Sequence, residues 1–126
     1  MIRRSDRGSA PVEFVLVGVL LTAVALAVLQ LAFVAHVRAV AIDSAIAGAA
    51  HAALADTEDA EGVTRASELV SDGIAATLVR RIDVEDLWIN DRPVVAVRIT
   101  VGVPVIGPWF PVSETTVTGR AFRETG

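Results

Sequence analysis

Cysteine is missing from this 126-residue chain. That excludes disulfides and thiolate metal sites and leaves any exported domain to be held by packing alone. Lysine is missing too, so all 11 basic residues are arginines, set against 15 Asp and Glu for a net charge of −4. This balance excludes a basic nucleic-acid surface, and no nucleic-acid partner is expected. Only 5% of the residues are aromatic although 53% are hydrophobic. The excess is Ala, Val, Leu and Ile, which suits a lipid-facing helix better than a compact enzyme core.

Catalytic signatures are lacking as well: there is no P-loop, no G-x-G-x-x-G and no G-x-S-x-G. His36 and His51 stand fifteen positions apart on what reads as one helix, more than four turns, and so cannot share a metal ion. Asp43, Ser44 and His51 are triad residue types but cannot converge from a single helix. The acidic run Asp56 to Glu61 lacks the spacing of a calcium loop and is better placed as a helix cap. No catalytic residue, metal, cofactor or small-molecule substrate is therefore expected, and the chain is not expected to be an enzyme.

What the chain does have is one long apolar run. No charged residue occurs from Phe14 to Ala35, and Gln30 is its only strongly polar side chain. As a helix these residues extend about 33 Å at ~1.5 Å per residue, which matches the ~30 Å hydrocarbon core of a bilayer. Arg3, Arg4 and Arg7 crowd the N-terminal flank, whereas from Arg38 onward eight arginines face thirteen acidic residues. The positive-inside rule then sets the topology, with the N-terminus in the cytoplasm and the remainder outside, a single pass through the cytoplasmic membrane.

The helix is expected to continue to about Ala55, since His36 to Ala55 contains no proline and is dominated by alanine. Ala41, Ala45, Ala49 and Ala53 recur every four residues, beside a row of Ser44, Gly48 and Ala52. Residues four apart share a helix face, so this is a smooth stripe that lets another helix approach closely. Ala41, Ala45, Gly48 and Ala49 are the candidates for that packing face, with helix association in the bilayer as its expected use.

Asp56 or Thr57 reads as the cap of a second helix, Glu58 to Arg81. Acids fill its first turn, Val63, Ala66, Val70, Ile74 and Leu78 recur at helical spacing, and Arg80 and Arg81 close it. The period then changes to two. Ile82 to Ile89 predicts a strand, Asn90 to Pro93 a turn, Val94 to Val101 the clearest strand, Val103 to Pro111 a loop, and Ser113 to Phe122 a third strand with Glu114, Thr116, Thr118 and Arg120 on one face. The expected fold is α+β: a long N-terminal transmembrane helix, an amphipathic helix, then a three-stranded antiparallel sheet. The expected organisation is a leader (1–8), the transmembrane and extended helix (9–55) and a small exported domain (56–126). Trp88, Trp109 and Phe110 either close the core of that domain, the commoner use of such residues, or form a partner-binding patch. At roughly 70 residues without disulfides it would be marginal in stability.

The most informative stretch is Arg7-Gly8-Ser9-Ala10-Pro11-Val12-Glu13-Phe14. A glycine ends a short basic leader, and a lone glutamate follows it by five positions, at the mouth of the apolar run. A carboxylate there is costly to desolvate and calls for a partner or a function, unless it reaches back to water. The combination resembles the leader of type IV pilins. More narrowly, with the apolar helix, the Ala-rich continuation around Ala45 to Ala55 and the closing Val117-Thr118-Gly119-Arg120-Ala121, it resembles the TadE family of minor pilins (pseudopilins) of the Tad, or Flp, tight-adherence pilus system. It departs from many members in having no proline in Val17-Gly18-Val19.

The resemblance implies cleavage by a prepilin peptidase between Gly8 and Ser9. It implies that Glu13, beside Phe14, pairs with the new amine of an adjacent subunit. It also implies partnership with other Tad pilins and with assembly-platform membrane proteins, in adhesion and surface attachment. Two alternatives stand beside it. The chain is a Sec-exported protein cleaved near Ala50-His51-Ala52 or Ala53-Leu54-Ala55, although signal h-regions are shorter than this run. Or it is an uncleaved single-pass accessory protein of a membrane complex.

Overall fold

The computed structural model describes residues 8–54, 56–104 and 113–124. Elements follow in the order α1 (Ser9–Ala52), α2 (Asp59–Gly73), a short 3-10 turn (Ala76–Leu78), β1 (Val79–Ile89), β2 (Arg92–Val103) and β3 (Ser113–Phe122). The fold is α+β: one long apolar helix, a second helix and a three-stranded antiparallel sheet of order β1-β2-β3.

Two compact units divide the chain, Met1–Phe33 and Val34–Gly126. The boundary expected after residue 55 is thus moved back into α1. The reason is the small-residue stripe: from Val34 onward the helix is part of the domain's own core. In the first unit, every residue from Gly8 to Phe33 is exposed except the half-buried Gln30. Among the described residues, α1 is the one helix long and apolar enough to cross a membrane, and none of its most apolar stretch is buried in the chain.

In the second unit, Val37, Ala41, Ala45 and Ala49 of α1 are fully buried. They share one apolar cluster with Ala66, Val70 and Ile74 from α2 and its end, with Val97, Ile99, Val101 and Val103 of β2, and with Val117 of β3. Glycines set the spacing. A Cβ on Gly48 would lie 2.7 Å from the Ala66 Cβ and 2.9 Å from the Gly62 carbonyl oxygen. A Cβ on Gly119 would run into the α1 backbone at Ala45 and Ile46. The sheet therefore rests directly on the helix main chain, an approach only glycine permits.

Alternation decides the sheet. On β3, Glu114, Thr116, Thr118 and Arg120 are exposed while Val117 and Gly119 are buried. The β1–β2 hairpin turns at Asn90 and Asp91, with φ of 50° and 60°, and Ile89 pairs with Arg92. Two successive positive φ values are the signature of a tight two-residue turn, which Asn and Asp tolerate better than other side-chain-bearing residues.

Two boundaries differ from those the sequence suggests. The second helix ends at Gly73, and Arg80 and Arg81 lie in β1 rather than in a last helical turn. The ladder to β2 shifts register between Val79 and Arg81. This bulge spends one residue without advancing the alternation, so Val79 and Ile82, three apart, both pack on the core. Spacing of three mimics a helix. The cap is Glu58 rather than Asp56 or Thr57; its backbone is extended and its side chain makes no capping hydrogen bond.

Candidate functional site

The candidate junction, Gly8-Ser9, lies at the start of α1, where Pro11 is set in the first turn, a position in which its missing N–H costs nothing. Gly8 is exposed, and a Cβ added there would meet nothing within 4 Å; its φ is not in the left-handed range. Neither packing nor backbone conformation requires a glycine at this position. The Ser9 hydroxyl donates to Glu13 Oε1 at 3.2 Å, one helical turn away. Glu13 is the sole ionisable residue between Gly8 and Ala35, and its neighbours Val12 and Phe14 are 58% and 80% exposed. A single carboxylate thus stands on an otherwise apolar rod, with one local hydroxyl bonded to it. Arg3, Arg4 and Arg7 lie outside the described residues.

Ala41, Ala45, Gly48 and Ala49 are all buried inside the chain's own domain. The expectation for that face is a partner helix in the bilayer; within the chain α2 and the sheet pack against it. The physical basis is the same in both cases, since a helix without side-chain bulk invites a close neighbour, and the sequence alone does not say whose.

Polar groups in the second unit serve the fold. Arg123 Nη2 donates to Asp59 Oδ1 at 2.7 Å and to Asp86 Oδ1 at 2.8 Å, joining α2 to β1. The bonds to Asp59 and then Asp86 raise the Arg123 pKa above its ordinary value. The guanidinium charge, and the stability it contributes, is therefore fully present across the neutral range and lost only in strong alkali. Main-chain bonds from Arg123 N to Pro93 O and from Glu124 N to Ala53 O fasten the same segment. His36 Nε2 lies 3.4 Å from the Gly73 carbonyl oxygen and His51 Nε2 lies 3.9 Å from Glu61 Oε2. The two histidines sit at opposite ends of the α1–α2 pair.

Trp88 does not close the core; it is 73% exposed. Trp109 and Phe110, and most of the loop expected from Val103 to Pro111, lie outside the described residues. Sequence reasoning missed Arg123, whose partners are 64 and 37 positions away, a separation no local pattern signals. Compared with models of protein families, with curated protein sequences and with solved structures, the chain gives no match.

Proposed function

We propose that the chain is a pilin-like subunit of the TadE type, a membrane-anchored structural or priming component of a Tad pilus. In this reading a prepilin peptidase cuts after Gly8, the apolar part of α1 holds the protein in the cytoplasmic membrane, and the domain from Val34 lies outside. The single observation that carries it is Gly8, a glycine that the fold does not need, at the edge of a basic leader and five positions before Glu13. A protease subsite that admits only hydrogen supplies the requirement that packing does not.

Cleavage exposes the amine of Ser9, with a pKa of ~8 and so mostly protonated at neutral pH. A carboxylate buried near the bilayer centre costs roughly 3 kcal/mol, and less near the interface. Pairing Glu13 with the amine of a neighbouring subunit relieves both charges. The expected partners are other Tad pilins and assembly-platform membrane proteins. The reading is preferred to Sec export because cleavage near Ala52 or Ala55 would remove Val37, Ala41, Ala45 and Ala49, the centre of the domain core.

The test is the mature N-terminus, sequenced with and without a co-expressed prepilin peptidase: Ser9 with the peptidase and Met1 without it supports the proposal, and a start near Asp56 refutes it. Gly8→Val is expected to abolish the mass shift of processing. Glu13→Ala should still be cut at Gly8 yet yield few or no pili, counted by electron microscopy; normal piliation would remove the role given to Glu13.

A further inference from the structure

Outside the apolar part of α1, large exposed hydrophobic side chains are few among the described residues: Ile46 stands midway along the domain's part of α1, and Leu54, Trp88, Ile89 and Phe122 gather at one end of the domain. That end is fixed by Val95, which packs on Ala52 and Ala53 at the close of α1, far along the helix from Val34. Ile89, Val94, Arg120, Ala121 and Phe122 line a shallow hollow of about 230 Å³; all but Ala121, which packs with Val95 on the helix side, alternate onto the face of the sheet away from the helices. The Arg92 guanidinium sits 4.6 Å from the centre of the Phe122 ring. A hollow of this size is small for a drug-sized ligand and fits a single aliphatic side chain.

Charge separates this corner from the rest of the face. Arg98 is paired with Glu85 at 3.1 Å and Arg81 with Asp83 at 3.9 Å. Arg92 and Arg120 make no ion pair with any described residue. On the helix side, Arg123 holds Asp59 and Asp86, and Glu61 faces His51. Asp56 and Glu58, both exposed, make no ion pair with any described residue, and Leu54 beside them is 41% exposed. The molecule thus carries an apolar knob followed by two carboxylates on one side, and an apolar hollow rimmed by two guanidiniums on the other.

We propose that the hollow receives a second copy of this chain, which seats Leu54 in it and sets Asp56 and Glu58 against Arg92 and Arg120. From Arg38 onward the chain has eight arginines and thirteen acidic residues, so two copies repel on average and approach closely only where a positive corner meets an acidic one. Both surfaces lie at the same end of the domain, and copies anchored in one membrane share an orientation. They face opposite ways, so the contact is head-to-tail and repeats along a row rather than closing a symmetric dimer. The shared orientation rests on the membrane-anchored function proposed above.

Absence of native cysteine makes the test direct. Glu58→Cys and Arg120→Cys full-length chains are co-expressed with differently sized tags and oxidised in membranes. A mixed disulfide between the two tags, and a ladder of multimers from the double variant, is the expected result. Ser71→Cys, at the other end of α2, serves as the control partner for Arg120→Cys. Arg120→Glu should reduce capture of a Glu58 partner about tenfold by placing like charges together, and Glu58→Arg in the partner should restore it. Cross-linking of Glu58→Cys with Arg120→Cys no stronger than the control, or only of Arg120→Cys with itself, overturns the proposal. The N-terminus of every variant is sequenced in parallel. Chains that start at Ser9 but fail to cross-link defeat the docking surface alone, and chains that never start at Ser9 defeat the pilin function alone.

Discussion

α1 is one helix with two surfaces. Residues 9–33 carry Leu, Val and Phe all round and, Gln30 apart, are exposed, whereas Val34–Ala52 carries Ala, Gly and Ser on a face that is enclosed. The backbone is the same; the side chains are not. Large aliphatic side chains gain by meeting hydrocarbon on every side. Small ones gain only if a neighbour closes to within van der Waals distance, because little transfer free energy comes with a methyl group. Glycine is used oppositely in the two regions: an added Cβ meets nothing at Gly8 or Gly18, and meets backbone or Cβ atoms at Gly48, Gly62 and Gly119.

The sharpest way to break that contrast is Gly119→Ala. Its methyl collides with main-chain atoms of α1, which cannot rotate away, so a loss of about 3 kcal/mol or more is expected. For a domain of this size that lowers Tm by roughly 12–24 °C, readable by thermal unfolding followed by circular dichroism. Next is Gly48→Ala, where gained helix propensity of about 1 kcal/mol opposes overpacking against Ala66 and a net loss of about 1–2 kcal/mol remains. Hydrogen exchange at the α1–α2 pair should report it.

Arg123→Ala removes a partly exposed bridge between two carboxylates, Asp59 and Asp86. About 1 kcal/mol is expected, as for a small ion-pair network, and the penalty should shrink in high salt. An equal loss at low and high salt would show that packing of the arginine stem, not charge, is what the domain uses. The smallest effect belongs to the first region: Gly18→Ala should leave the melting of the Val34–Gly126 unit within about 0.5 kcal/mol of the parent. A larger shift would mean the two regions are energetically coupled.

Much of this was readable locally. The apolar run, the Ala-rich continuation, the turn at Asn90 and Asp91 and the alternation on β2 and β3 each depend on a period or a dihedral that a few adjacent residues impose. Arg80 and Arg81 were misplaced because Leu78 falls at helical spacing after Ile74 and two arginines suit a last helical turn; that the helix stops at Gly73 and a strand begins at Val79 is set by pairing with β2, a distant segment. Trp88 misled because an aromatic in a strand closes a core only if a layer covers it, and among the described residues it stays 73% exposed. The residues of the candidate junction, Gly8, Ser9, Glu13 and Phe14, were legible from residue type and spacing, since no distant element contacts them among the described residues.

By itself the sequence determined the number and order of helices and strands, which stretch is apolar enough for a bilayer, and that a lone carboxylate stands at its start. These follow from propensity, periodicity and transfer free energy, all properties of neighbours along the chain. Only the tertiary structure decided what covers the small-residue face of α1, that α1 from Val34 onward belongs to the domain, and that Arg123 ties α2 to β1. A smooth helix face attracts any close-fitting neighbour with nearly the same dispersion energy. The choice among neighbours was made by glycines that let α2 and β3 close on it, Gly62, 14 positions from Gly48, and Gly119, 74 positions from Ala45.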